Sequence, residues 1–323
     1  MKTALENRTA AAELATLPTV AEDIAAAKEY AAASKAANTR RAYAADLRKF
    51  AAYAERIGAD ASAAGTVAAY IAHLAQTGSA RASINRALAA IRADRADKGQ
   101  VFEVAAAAKI RDVLAGINRE LAPGTCKAPL LVEDLRTAVA DLPADTVASA
   151  RDRALLLVGF ALGARRSELA ALDVADLEWS ARGVSVTIRR SKTDQLGAGR
   201  VVALPVGKLP ATCPVRALRT WLDVAGIAEG AIWRSINKQG TIGARLSDKS
   251  IAQTVKDAGE RAGLNPATLG GHSLRAGLVT SASLAGASDA SIQRQTGHRS
   301  VTMLRRYTRV ADAYRDNATA GLL

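Results

Sequence analysis

Aromatic residues, cysteines and long apolar runs are all scarce in this sequence. Only 4% of the 323 residues are aromatic, and much of the 49% apolar share is alanine. Small side chains in helical runs favour closely packed helices over sheets. Cys126 and Cys213 lie far apart and in no CxxC or Cys/His cluster. We therefore expect neither a disulfide scaffold nor a structural zinc site.

The chain also lacks an apolar span of membrane length, and its amino terminus mixes charged residues among apolar ones. These features predict a soluble, cytoplasmic protein with no membrane partner. Basic residues, in contrast, are abundant: 44 Lys and Arg stand against 31 Asp and Glu, a net charge of +13. Such an excess is typical of proteins that bind a polyanion, most often nucleic acid.

A length of 323 residues exceeds the usual size of one hydrophobic core, which favours two domains. Residues 1–118 hold four or five helical patterns and little else, and Asn38 and Thr39 can cap one of these helices. The string RELAPGTCKAP at 119–129 contains Pro and Gly without periodicity, and we interpret it as the linker. Residues 130–323 then form the second domain.

The second domain combines helical patterns with one strand pair. GVSVTIRR alternates its β-branched residues, SKTDQLGAG supplies turn residues, and RVVALP returns. Gly163 can end the second helix of this domain. Helical patterns cover Val132–Ala140, Ala150–Leu162, Val215–Val224, Ser250–Ala262, Ser273–Ala285 and Ser288–Gln295. The sequence therefore predicts a mainly α fold with one small antiparallel β-sheet.

Five short motifs follow one another in the second domain: GARRSEL, SKT, HSLR, GH, and a tyrosine nine residues after that histidine. Their order, with 23 residues from Arg275 to His298 and nine more to Tyr307, resembles the tyrosine recombinase (phage integrase) family. The resemblance covers nearly the whole chain, because the helical first domain is similar to the core-binding domain of that family. It implies a helical DNA-binding domain joined to a mixed α/β catalytic domain.

The resemblance also implies a function, that of a site-specific DNA recombinase in integration, excision or resolution. Tyr307 would attack a scissile phosphate to give a 3′-phosphotyrosyl intermediate, and strands would be exchanged through a Holliday junction. The implied partner is double-stranded DNA at a specific target site, bound by a homotetramer on two such sites. No cofactor is expected, since the chain has no GxxxxGKS/T loop and no carboxylate cluster for magnesium.

Two arginines are candidates for holding the phosphate. Attack on a phosphodiester builds negative charge on the non-bridging oxygens, and a guanidinium meets them with paired hydrogen bonds at any working pH. The resemblance assigns this role to Arg165 and Arg275. Taken singly, each is equally well explained as an arginine that meets the dipole at a helix end. Arg166 competes with its neighbour, but the G-x-R-x-S-E-L register favours Arg165.

Two of the three histidines, His272 and His298, lie in these motifs. An imidazole beside a phosphate can donate a hydrogen bond or relay a proton near neutral pH. His272 lies three residues before Arg275, near the predicted start of a helix at Ser273, so the two can share a helical face. The alternatives are a structural or exposed histidine for His272, and a loop histidine that caps the next helix for His298.

The resemblance assigns three further roles. Lys192 in the hairpin would protonate the departing 5′ oxygen, and Glu168 would orient its neighbours through hydrogen bonds. A solvated lysine and a helix-surface charge are the alternatives. Tyr307 would be the nucleophile, because nearby arginines favour a phenolate. The alternative is a tyrosine packed on an amphipathic helix, and Tyr314 is the rival nucleophile.

Three other functions fit part of the pattern. A type IB topoisomerase or a hairpin telomere resolvase uses similar chemistry without exchange between two duplexes. A non-catalytic DNA-binding protein would keep the basic surface without the site. An RNA-binding helical protein fits the composition alone and gives no reason for the spacing of Arg, His and Tyr.

Overall fold

Helices dominate the architecture, with small antiparallel sheets, which confirms the predicted fold class. The structure, a computed structural model, describes residues 20–33, 35–122, 127–143, 145–189, 199–298, 300 and 304. The chain divides into two compact units between residues 125 and 126. This division falls within the predicted linker, 119–129, although the last helix of the first unit extends to Glu120.

The first unit is built from helices whose apolar faces meet in one core. Its described helices are α1 (Val20–Ala33), α2 (Ala37–Arg56), α3 (Ala64–Gln76), α4 (Arg81–Asp97) and α5 (Val104–Glu120). In α2, Leu47, Phe50 and Tyr53 recur every three residues and so share one face. Phe50 is buried against Tyr70 of α3, with 5.2 Å between the ring centroids.

The prediction that Asn38 and Thr39 cap a helix is wrong. Helix α2 begins at Ala37, before both residues, and Ala36 occupies the N-cap position. Alanine is the strongest helix former, so the helix extends backwards through Ala37 past the polar residues.

The second unit carries the remaining helices and all the described strands. Its helices are α6 (Val132–Ala140), α7 (Val147–Leu162), α8 (Arg166–Ala170), α9 (Pro214–Val224), α10 (Asp248–Arg261), α11 (Ser273–Leu284) and α12 (Asp289–Thr296). Its strands are β1 (Leu177–Ser180), β2 (Gly183–Ile188), β3 (Arg200–Pro205), β4 (Arg234–Ile236) and β5 (Ile242–Arg245). The predicted helices are all present, with ends that shift by three residues at most.

Helix α7 shows why an end shifts. It begins three residues before the predicted Ala150 because the Oγ1 atom of Thr146 accepts a hydrogen bond from the backbone N–H of Ser149, at 3.0 Å. The predicted end is confirmed: Gly163 adopts the left-handed conformation, with φ +54°, and terminates the helix.

The prediction of a single two-stranded sheet is incomplete. Strands β2 and β3 pair antiparallel as predicted, with Val184 opposite Leu204 and Val186 opposite Val202. However, β1 also pairs with β2, and β4 with β5 forms a second sheet. These extra strands have only three or four residues, which is too short for alternation to be recognised in the sequence.

Close backbone packing fixes the position of α11. A Cβ atom on Gly277 would overlap the carbonyl oxygen of Leu130, so only glycine permits this approach. The backbone N–H of Leu130 donates to the carbonyl of Ser273 at 3.0 Å. On the far side of α11, Val279 is buried in a small cluster with Ile292 and Leu304. Among the described residues, no helix is both long and apolar enough to span a bilayer.

Candidate active site

Arg165 and Glu168 form a buried ion pair at the start of α8. The Glu168 carboxylate accepts hydrogen bonds from the Arg165 backbone N–H, at 3.0 Å, and from its Nη1 atom. The Glu168 side chain is 1% exposed and that of Arg165 12%. A carboxylate at this depth needs charged or hydrogen-bonded partners. The pair therefore links the Arg165 guanidinium to a buried carboxylate, while the orienting role of Glu168 stays a prediction.

Arg166, the competitor of Arg165, points elsewhere. Its Nη2 atom lies 2.8 Å from an oxygen of Asp248, and its side chain is 40% exposed. The aliphatic part of the side chain packs on Gly271, where a Cβ atom would lie 2.6 Å from Arg166 Cδ. Of these two adjacent arginines, only Arg165 contacts Glu168 through a described hydrogen bond.

Arg275 lies on α11 and is 5% exposed. Its Nη1 atom donates to the carbonyls of Gly163, at 2.6 Å, and Thr296, at 2.5 Å. These carbonyls belong to the carboxyl ends of α7 and α12, where the helix dipoles are negative. Arg275 therefore meets helix dipoles, as the helix-end alternative expects, but the dipoles are those of two other helices and the side chain is buried rather than in solvent.

The His298 ring is anchored by Thr296. The Nδ1 atom lies 2.7 Å from Thr296 Oγ1, and that hydroxyl donates to the carbonyl of Ile292 at 2.6 Å. Because a hydroxyl has one proton, Oγ1 accepts from Nδ1–H, and the neutral ring then carries its lone pair on Nε2.

Burial is the main reason that the pKa of His298 is lowered to about 4, and the positive charges of Arg275, Arg165 and Arg200 add to the effect. The negative charge of Glu168 acts in the opposite direction. The imidazole is therefore neutral at pH 7 in the DNA-free protein. Three guanidiniums and a neutral imidazole around one carboxylate leave the cluster net positive, a suitable environment for a phosphodiester anion.

His272 occupies the N-cap position of α11, so the predicted helix start at Ser273 is confirmed. The residue is exposed, whereas Arg275 in the first turn is buried. His272 thus lies at the surface of the second unit, at the amino end of the helix that carries Arg275.

Two predicted site residues lie outside the described residues. Lys192 falls between Ile188, the last residue of β2, and Arg200, the first of β3. Tyr307 follows Leu304, which is buried in the cluster around α11 and α12. The rival Tyr314 and the arginines around Tyr307 are also outside the described part of the chain.

Arg200 belongs to the cluster, and sequence reasoning missed it. Its Nη2 atom lies 3.2 Å from Glu168 Oε2, and its side chain is 18% exposed. Burial lowers the pKa of Arg200, while the nearby Glu168 carboxylate raises it and Arg165 lowers it further. The only sequence signal is its position where the chain returns from the hairpin, because its partner Glu168 is 32 residues away.

Within the described ranges, no group of three or more His, Cys, Asp or Glu side chains is placed to hold a metal ion.

Two family models match this chain, and so do relatives of known name. The phage integrase family model matches residues 131–314, and the model for the phage integrase N-terminal SAM-like domain matches 21–93. The integrase/recombinase xerD homolog of Selenomonas ruminantium is 36% identical over 293 residues, which cover 88% of this chain and 85% of the relative. The tyrosine recombinase XerD of Mycobacterium tuberculosis is 35% identical over 181 residues, 54% of this chain and 53% of the relative.

Solved structures share the fold. The XerH site-specific recombinase bound to a palindromic difH substrate superposes with a TM-score of 0.65 at 19% identity, covering 87% of this chain and 79% of that one. A lambda integrase dimer bound to a COC′ core site gives a TM-score of 0.58 at 18% identity, covering 87% of this chain and 91% of that one. At such identities the likeness concerns the fold.

Proposed function

The chain belongs to the phage integrase family, and on this premise we propose that it is a site-specific DNA recombinase that cleaves and rejoins DNA through a 3′-phosphotyrosyl intermediate. The observation that carries the proposal is the convergence of Arg165, Arg275 and His298 beside Glu168. These residues come from three separate stretches of the sequence. Their positive charge is concentrated where a phosphodiester anion would be stabilised.

Cleavage begins when the Oη atom of Tyr307 attacks the scissile phosphorus. The Tyr307 Oη–P bond forms as the P–O5′ bond breaks, and Lys192 donates a proton to the departing 5′ oxygen. His272 accepts the proton that the phenol loses and passes it to solvent. Arg165 and Arg275 hold the non-bridging oxygens, whose negative charge increases in the transition state.

His298 supports the same phosphate in a way that depends on its protonation. A bound phosphodiester anion offsets the surrounding cations and raises the pKa of His298. The Nε2 atom then takes up a proton and donates to the phosphate, while Nδ1 keeps its hydrogen bond to Thr296.

Rejoining reverses the chemistry. The 5′ hydroxyl of a partner duplex attacks the phosphotyrosine, forms a new P–O5′ bond and returns the phenol. Because the phosphotyrosyl ester keeps the energy of the broken phosphodiester, the cycle runs without ATP. Two such rounds exchange strands through a Holliday junction.

In this proposal residues 1–118 form a core-binding DNA-binding domain, 119–129 the linker and 130–323 the catalytic domain. The working unit is a homotetramer on two specific double-stranded sites, acting in the cytoplasm. The net charge of +13 supports a DNA partner. So do the related folds of an XerH recombinase bound to its difH substrate and a lambda integrase bound to its core site.

Covalent trapping tests the proposal. Duplexes that bind the full chain are selected from a randomised pool, nicked at successive positions, and incubated with the protein before denaturing electrophoresis. The parent is expected to form a protein–DNA adduct on a nicked duplex. Tyr307→Phe is expected to bind nearly as well, because phosphate contacts dominate affinity, but to form no adduct. Tyr314→Phe is the matched control and should form the adduct normally.

The other possible outcomes of the trapping experiment would contradict the proposal in different ways. Adducts formed by Tyr307→Phe would show that another tyrosine is the nucleophile. Absence of adduct with the parent on all selected duplexes would reject cleavage by a tyrosine. Relaxed supercoils or hairpin ends without strand exchange would identify a type IB topoisomerase or a telomere resolvase.

A further inference from the structure

Arg200 begins the strand that follows the Lys192 hairpin, and its side chain contacts both the Glu168 carboxylate and the turn before His298. It is the first residue of β3, where the chain returns from the hairpin that contains Lys192. Its Nη2 atom contacts Glu168 Oε2 at 3.2 Å, while the other carboxylate oxygen, Oε1, contacts Arg165. One buried carboxylate is thus held between two guanidiniums, so the two arginines are energetically coupled through Glu168.

The same guanidinium packs against the turn that leads to His298. Gly297 ends α12 in the left-handed conformation, with φ +67°. A Cβ atom at this position would overlap the Arg200 guanidinium, whose Cζ atom it would approach within 3.1 Å. Arg200 therefore occupies the space next to the backbone that carries the His298 ring.

From these contacts we propose that Arg200 is a positioning residue for DNA cleavage: it fixes the Arg165 guanidinium through Glu168 and sets the surroundings of the His298 ring. The inference deepens the proposed function and rests on it for the cleavage step. It assigns to Arg200 no contact with the reacting atoms.

The charges that face His298 show what the Arg200 side chain contributes. Arg275 faces it from α11, Arg165 from the start of α8, and Arg200 from β3, while Glu168 of α8 has the opposite sign. An arginine stays charged even when burial lowers its pKa. Burial, the largest cause of the low pKa of His298, remains when Arg200 is replaced with glutamine, but one of the three cations is removed, so we expect this pKa to rise from about 4.

Nuclear magnetic resonance of the histidine rings measures this change without DNA. The full chain has three histidines, so ring carbon labelling gives few signals from which that of His298 is identified. In the parent, the His298 signal is expected not to titrate above about pH 5. In Arg200→Gln it should titrate at higher pH.

A matched variant separates this effect from a general loss of packing. Arg151 is similarly buried, with a side chain 13% exposed, and pairs with Asp152 at 2.8 Å. Arg151→Gln should leave the His298 titration and the cleavage rate at parental values. Arg200→Lys keeps the charge, so the pKa of His298 should stay low in that variant. It supplies a second measurement if the glutamine variant does not fold.

Single-turnover cleavage tests the positioning of Arg165. A misplacement of about 1 Å in a catalytic group reduces the rate by about 100-fold, and we expect Arg200→Gln to show a loss of this size. Arg200→Lys should recover part of it, because a lysine ammonium can still pair with Glu168. Parental cleavage by Arg200→Gln, or a His298 titration unchanged in that variant, would overturn the inference. If the parent itself does not cleave, the proposed function fails, while the titration still decides whether Arg200 controls His298.

Discussion

Replacing Arg275 with lysine separates the shape of this side chain from its charge. The arginine is 5% exposed, and its Nη1 atom donates to two carbonyls, those of Gly163 at 2.6 Å and Thr296 at 2.5 Å. A lysine ammonium is a point charge without the planar fork. It is unable to hold both helix ends and still present paired donors to a phosphate.

These contacts set the expected losses of unfolding free energy and of cleavage rate. Loss of one buried hydrogen bond from a charged donor costs about 1.5–3 kcal/mol of unfolding free energy. Loss of one donor to a developing oxyanion costs about 100- to 1000-fold in rate. We therefore predict that Arg275→Lys lowers the unfolding free energy of the second unit and cleavage by these amounts, with a modest loss of DNA binding.

Single-turnover cleavage of a nicked duplex and urea denaturation measure the two effects, and Arg165→Lys is the matched variant. An ammonium at position 165 can still pair with Glu168, so cleavage should fall in the same range while the unfolding free energy changes less. Near-parental cleavage by Arg275→Lys would refute the paired-donor role. Unchanged unfolding would refute the structural role of the contacts to Gly163 and Thr296.

Three further predictions follow from the site and the fold. Lys192→Ala should cleave an ordinary phosphodiester very poorly, and a bridging 5′ sulfur should restore its cleavage far more than that of an Arg165 variant, because a thiolate leaves without a general acid; equal rescue of both variants would remove Lys192 from the acid role. Gly277→Ala should lower the unfolding free energy by about 1–3 kcal/mol in urea denaturation, since the added Cβ overlaps the Leu130 carbonyl. Gly116→Ala, in α5 with open space around the added Cβ, should instead raise it by up to about 1 kcal/mol, and equal effects of the two changes would contradict the packing argument. Cleavage should survive EDTA, because the arginines neutralise the phosphate in the proposed mechanism; loss of activity that magnesium restores would indicate a metal nuclease.

The sequence by itself determined the fold class and the family, and both are confirmed. It also indicated the recombinase function, which we propose on the strength of that family. Helix α6 has the predicted bounds, Val132–Ala140, and Gly163 ends α7 as expected. Such features depend on apolar periodicity and on the conformational freedom of glycine, which act over a few residues. The roles of the site residues stay predictions, and for Lys192 and Tyr307 so does their placement.

Only the tertiary structure decided how the site residues meet. The pairing of Arg200 with Glu168 joins residues 32 positions apart, and β1, β4 and β5 are strands because of their partners. The neutral state of His298 depends on burial and on guanidiniums from β3, α8 and α11. Local patterns specify which elements form. Burial and charge pairing depend on which elements the fold brings together, and no window of the sequence contains that information.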